Sequence, residues 1–282
     1  MVQKRIVLYG NPEVQTPFNS DQLVVEIGND HIALMVKNAG SNTIGSFELF
    51  ETDSSVSEWP ETFFEVRNQS DILKRGFNDT KIYYNLPESV IIPSEKFEEE
   101  ASEDFLNVIY GDKLNAIVKH EKINASSRSM ENIYRIDKSL NDVIKSNFVM
   151  LSSSHVYSKI LTQLLGGNRF ISGSFLKVQF YYRYMVVVLV KYGRLQMIQT
   201  FSSKTPDDVV YHLLNVVEQF SLIAEHTDIE LSGIIDKKSQ QYELISKIFP
   251  QCSEEKIAEE NKIPLITEYP EYYFIPFLNL VV

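Results

Sequence analysis

The chain has 282 residues, 44% of them hydrophobic, with 17 phenylalanines and 15 tyrosines, enough apolar material for one large core or two smaller ones. A net charge of −11 and a sequence pI near 5.0 argue against general nucleic-acid binding or attachment to anionic membranes, since both call for a cationic surface. The single cysteine, Cys252, excludes a disulfide framework and a cysteine-based metal site.

From the amino terminus, residues 1–20 read as a loosely docked arm broken by Gly10, Pro12 and Pro17. Its four-residue apolar run is too short for a signal peptide, and no later run approaches the roughly 18 apolar residues of a membrane span. A cytoplasmic protein without membrane attachment is expected. Regular structure is predicted from Gln22: a strand over 22–28, a turn at Asn29-Asp30, a return strand over 31–37 and a third over 43–50. Pro60 suits the first turn of a helix running to about Lys74. A strand at 81–85 precedes a Pro-bracketed extended stretch at 86–93, then a helix over 97–109 whose acidic start, Glu98 to Glu100, is a solvated face favoured by the helix dipole. Strands are predicted at 113–120, 133–136 and 149–152, with a helix capped by Asp137 ahead of the last. Residues 155–165 form an amphipathic helix stopped by Gly166-Gly167, which marks the best domain boundary.

The second half repeats the plan. Strands at 175–183, 184–191 and 194–201 are followed by a helix over 205–222, with Thr205 as N-cap and Pro206 at its first position. A further strand leads through Leu231-Ser232-Gly233 to Asp236. The two halves align at an offset of about 153 residues, Lys37 with Lys191 and the strand of Val24 with that of Val178. The predicted fold is α/β, a duplicated β-β-β-α-β-α unit with mixed sheets. The first lobe spans 1–170, with an insertion at about 111–148, and the second spans 171–282.

A duplicated unit of this kind resembles the actin-like ATPase superfamily (actin, Hsp70, sugar kinases), a ribonuclease H-like fold. Residues 84–93, 193–215 and 231–236, and the aromatic end at 272–280, resemble more closely the uncharacterised bacterial family DUF3822, itself similar to the actin-like fold. The superfamily resemblance implies nucleotide bound between two halves by two hairpin phosphate loops and a glycine-bearing adenosine loop. In the first loop this sequence reads Val25-Glu26-Ile27-Gly28-Asn29-Asp30. Glu26 stands where an Asp is usual and Gly28 is retained, while Asp30 would put negative charge where a phosphate should sit. The second loop reads Gln179-Phe180-Tyr181-Tyr182-Arg183, without glycine, so that backbone amides cannot approach a phosphate; Tyr181 or Tyr182 is expected to obstruct that position. Ser232-Gly233 replaces the usual glycine pair of the adenosine loop, although Ser-Gly after a strand is also an ordinary turn.

Other chemistry-bearing patterns are missing: there is no Walker A, Gly-x-Gly-x-x-Gly, Gly-x-Ser-x-Gly or His-Glu-x-x-His sequence. His31, His120, His155, His212 and His226 show no metal-ligand spacing. The run Ser152-Ser153-Ser154 beside His155 reads either as a nucleophile with its base or, preferably, as the start of a helix. The aromatic end from Tyr269 reads either as a contact for a partner or as the last strand or helix of the second lobe. Two functions follow. The first is a catalytically degenerate actin-like protein that binds or assembles with a protein partner and needs no cofactor. The alternative is an Mg-ATP-dependent enzyme or switch using Glu26, Gly28, Ser232 and Gly233.

Overall fold

A computed structural model of the chain describes residues 1–9, 21–39, 44–53, 58–125, 128–148, 151–166, 173–257 and 269–281. It divides into two compact units, Met1–Gly167 with Leu280–Val282, and Asn168–Asn279.

In the first unit, strands β1 (Gln3–Tyr9), β2 (Gln22–Gly28), β3 (His31–Lys37) and β4 (Ile44–Glu51) precede helix α1 (Trp59–Gln69) and strand β5 (Asp79–Asn85). Strand β6 (Ser89–Pro93), helix α2 (Ser102–Tyr110), strands β7 (Ala116–Asn124) and β8 (Ser129–Asp137), and helix α3 (Lys138–Asn147) follow. Strand β9 (Leu151–His155) and helix α4 (Val156–Gly166) complete the unit's main elements. The main sheet has the order β1-β4-β3-β2-β5-β9, with β2, β5 and β9 parallel and the rest antiparallel. Central strands β2 and β3 are buried almost throughout, which explains their unbroken Val, Ile and Leu runs. A separate three-stranded sheet, β6-β8-β7, stands between β5 and α3. It draws on residues 89–93, ahead of the 111–148 stretch.

The second unit contains β10 (Ser174–Phe180), β11 (Tyr184–Lys191), β12 (Arg194–Ser202), α5 (Pro206–Gln219), β13 (Thr227–Gly233), α6 (Gln240–Ile248), β14 (Cys252–Glu254) and, as far as Asn279, α7 (Ile275–Val281). Its sheet runs β12-β11-β10-β13-β14, with two antiparallel pairings and two parallel ones. Without β1, the first sheet has the same order, so the repeat read from sequence is present strand for strand. Each copy has its own core. One forms around Val25, Leu34, Phe63 and Ile136, the other around Val178, Val187, Leu213 and Leu231. The predicted cap of α5 is complete. Asp208 N–H donates to Thr205 Oγ1 at 3.2 Å, and Thr205 N–H donates to the Asp208 carboxylate at 3.0 Å.

Several local expectations are corrected. The described part of the amino-terminal arm is strand β1, paired to β4, because Glu48 of β4 is fully buried and gathers its partners there. Its carboxylate accepts from Lys4 Nζ at 3.0 Å, Ser70 Oγ at 2.5 Å, Asp71 N–H at 3.0 Å, and from the Tyr9 hydroxyl. Gly10, Pro12, Pro17 and Gly167 lie outside the described residues. Helix α1 stops at Gln69 rather than near Lys74, since Ser70 is extended and turns its hydroxyl to Glu48. The helix expected over 97–109 is shortened to α2, preceded by 3₁₀ turns at Ser94–Lys96 and Glu99–Ala101. Asp137 does not cap α3 through its side chain; it pairs with Lys113 at 3.0 Å. β7 starts at Ala116, later than predicted; β9 is described from Leu151, and residues 149–150 of the expected strand lie outside the described residues.

Candidate functional site

In the first unit the candidate residues gather at the β2–β3 turn. Side chains two apart on a strand share a face, so Glu26 and Gly28 lie on one side of β2. Gly28 stands in parallel register with Asn85 of β5. Asn85 Nδ2 donates to Glu26 Oε1 at 2.7 Å. His31, just across the turn, completes the group. Its Nε2 lies 3.3 Å from Glu26 Oε1 and its Nδ1 lies 3.2 Å from Asp30 Oδ1. Glu26 and His31 are fully buried, and Asp30 and Asn85 nearly so. Burial alone would lower the imidazole pKa. The bonds to Asp30 and then Glu26 outweigh it and raise His31 to about 9. Asp30 is thus turned to an imidazolium inside the unit. Glu26 Oε2 and Asn85 Oδ1 are buried with no hydrogen-bond partner among the described residues.

In the second unit, the β10–β11 turn is filled by aromatic rings. Tyr181 is 2% exposed, stacks on Tyr184 at 4.7 Å and meets Phe277 edge-on at 5.9 Å. The backbone closes beneath it: Tyr181 N–H donates to the Tyr184 carbonyl at 2.9 Å, and Ser203 N–H to the Arg183 carbonyl at 2.8 Å. Ser232 and Gly233 end β13, in parallel register with Gln179 and Phe180. Gly233 has φ of 87° and its Cα faces the Phe180 backbone, while Ile234 N–H donates to the Phe180 carbonyl at 2.9 Å. Gln179 Oε1 and Ser232 Oγ, opposite one another, are buried and unpartnered among the described residues.

The remaining candidates resolve into structure. His155 is fully buried, its Nε2 lies 3.0 Å from the Leu86 carbonyl oxygen, and its Nδ1 accepts from Tyr157 N–H at 3.1 Å. Burial lowers its pKa to about 3, against the opposing Leu86 bond. Both ring nitrogens are engaged, so it cannot serve the serines as a base. Ser154 instead donates to Glu121 at 2.6 Å, and Ser153 accepts from Lys119 at 3.0 Å. Cys252 is half-buried in β14 with its thiol pKa raised by burial, the reverse of an activated nucleophile. His212 is half-buried against the Phe201 ring at 4.8 Å. Among the described residues, no group of three His, Cys, Asp or Glu is arranged to hold a metal ion, and no helix is long and apolar enough to cross a membrane. The aromatic end is the last helix of the alternatives: Tyr272, Phe274, Phe277 and Leu278 are buried.

Among the buried charged groups that sequence reasoning missed are Glu48, His31 between its two carboxylates, and Lys177. Lys177 is paired in the second unit with Glu255 and, at 3.6 Å, with Glu230. For His31 a signal was available. The turn at 29–30 places residue 31 beside 28, on the face of Glu26.

Two hairpins feeding a crossover helix and two parallel strands, present twice, define the actin-like ATPase fold. The chain belongs to the DUF3822 family, described as a protein of unknown function, whose model matches residues 15–252. It is similar to a Bacteroides thetaiotaomicron protein with an actin-like ATPase fold and unknown function, at 18% identity and a TM-score of 0.76, over 95% of this chain and 98% of that one. A chain of the PilM–PilN type IV pilus biogenesis complex is similar at 11% identity and a TM-score of 0.60, over 92% and 97% of the two chains. At these identities the likeness concerns the fold. Comparison with curated proteins found no match.

Proposed function

We propose that this chain is a catalytically degenerate actin-like protein that acts as a binding or assembly module for a protein partner, in a cytoplasmic setting. The observation that carries the reading is the β10–β11 turn. Tyr181 is packed between Tyr184 and Phe277 where the fold family uses glycine amides to hold phosphate. Mg-ATP fits the other loops no better. One oxygen of Glu26 is occupied by Asn85 and His31, and the neighbouring imidazolium already answers its charge. Gly233 is required by the Phe180 backbone whether or not a nucleotide is present. The similarity to a chain of the PilM–PilN complex supports a partner-binding use of the fold.

The oxygens Glu26 Oε2, Asn85 Oδ1, Gln179 Oε1 and Ser232 Oγ, which have no hydrogen-bond partner among the described residues, favour a second reading, an Mg-ATP-dependent switch or enzyme with divergent loops. Buried acceptors without donors cost stability, and a bound ligand or ordered water would relieve that cost. Calorimetry with Mg-ATP separates the two. The module reading expects no heat of binding at millimolar nucleotide and no phosphate release. Micromolar binding with turnover would overturn it in favour of the second.

A further inference from the structure

Helix α2 packs on the three-stranded sheet by one side and keeps the other exposed. Ser102 and Leu106, four apart, are buried on the sheet side. The carboxyl end of the helix is pinned there. Arg135 Nη1 donates to Asn107 Oδ1 at 3.0 Å and to the Gly111 carbonyl at 2.9 Å, and the Tyr110 hydroxyl donates to the Ser89 carbonyl at 3.0 Å. Asp104 and Val108, also four apart, therefore stand on the outer side, and Val108 is 87% exposed. Ile109 is 59% exposed, and Leu114, in the turn that follows, is 90% exposed. That turn is fastened as well, with Lys138 N–H donating to the Asn115 carbonyl at 2.8 Å. Exposed apolar side chains scattered singly need no explanation; here three stand within seven residues on a fixed support.

The charge around them has one sign. Residues 98–112 carry six carboxylates and no Lys or Arg. Glu99 lies 3.7 Å from His120, while the side chains of Glu98, Glu100, Glu103, Asp104 and Asp112 make no ion pair or hydrogen bond among the described residues. The helix dipole favours Glu103 and Asp104 in the first turn, but it opposes Asp112, which lies beyond the carboxyl end. We infer that the outer side of α2 and the turn to Leu114 form a docking surface for a protein partner that presents a basic amphipathic segment. Its apolar residues cover Val108, Ile109 and Leu114, and its Lys or Arg side chains meet the uncompensated carboxylates. The same carboxylates turn away nucleic acid and anionic membranes, a choice the apolar patch alone would not make. Because the support is already held in place, docking costs little ordering on this side. The inference rests on the binding-module reading and names the chemistry of the partner.

The test is selection of a random dodecapeptide phage library on the full chain, followed by fluorescence polarisation with the recovered peptides. Expected is enrichment of peptides that carry Lys or Arg among large apolar residues. Their affinity should fall at least about tenfold in Val108→Lys, fall in Asp112→Lys, and weaken as salt rises. Both positions are exposed, so the variants keep the wild-type melting temperature. Tyr211→Ser, at an exposed aromatic of the other unit, should bind as the parent does. Failure to enrich such peptides, equal binding by Val108→Lys, or binding indifferent to salt overturns the surface. A concentration-dependent dimer in sedimentation that Val108→Lys abolishes assigns the face to a second copy and overturns the basic partner. ATP turnover with peptide binding intact sinks the degenerate-module reading alone; absence of peptide binding without turnover sinks this inference alone.

Discussion

A methyl group added to Gly233 would sit 2.1 Å from the carbonyl oxygen of Phe180 and 2.9 Å from its nitrogen. Both obstacles are backbone atoms of the neighbouring parallel strand, so no rotamer change relieves them, and the φ of 87° is itself strained for any other residue. Gly233→Ala is expected to destabilise the protein by at least about 2 kcal/mol, read by urea unfolding. A neutral substitution would show that β10 and β13 separate at this point.

Stability should peak near pH 6.5, because two histidines pull in opposite directions. His31 is raised to about 9 in the folded chain, so its contribution is full below the unfolded value of about 6.5 and is lost as pH rises through 9. His155 is lowered to about 3, so its neutral form favours folding above about 6.5, and stability falls as pH drops from there towards 3. His31→Gln should flatten the alkaline limb and His155→Gln the acid limb. Melting temperatures across pH 4–10, taken as an order-of-magnitude window around these values, check both.

Glu48→Ala strands the Lys4 ammonium, the Ser70 hydroxyl and the Asp71 amide around an empty site. A loss of about 2–4 kcal/mol is expected, since removing one side of a buried charge network leaves the rest unpaired. Hydrogen exchange should show β1 amides losing protection before those of β2. Uniform loss across the sheet would argue that β1 is not held by this carboxylate.

Tyr181→Ala removes a ring packed between Tyr184 and Phe277, with an expected cost of about 3–5 kcal/mol. If the turn has no nucleotide role, the variant gains no affinity for Mg-ATP. Calorimetry on it should match the parent, and new binding would mean that Tyr181 alone closes a competent phosphate loop.

The repeat was legible because it rests on period and punctuation. The hairpins at Asn29-Asp30 and Tyr192-Gly193, the Thr205-Pro206 helix start and the apolar runs of β2, β3, β10 and β11 each act locally. Strand β1 was not legible, since its burial pattern depends on Glu48, more than 40 residues along the chain. The early stop of α1 had the same cause. At the candidate site, sequence located Glu26, Gly28, Ser232 and Gly233 but not what surrounds them. Gly233 announces a special backbone, yet only the register with Phe180 shows that strand packing demands it. Pleat geometry, not the spacing of the histidines, puts His31 between Glu26 and Asp30.

Strand β1 also breaks the symmetry of the duplication. In the first unit it covers β4, whereas in the second β12 ends the sheet among the described residues. Two copies of one plan therefore differ in how their backbone polar groups are finished. Among the described residues no strand stands beside the outer row of β12, and such edges are commonly protected by polar or charged side chains. Its exposed Arg194, Gln196 and Gln199 set polar and charged side chains along that row. One copy thus carries an added strand at its edge, and the other carries polar and charged side chains there.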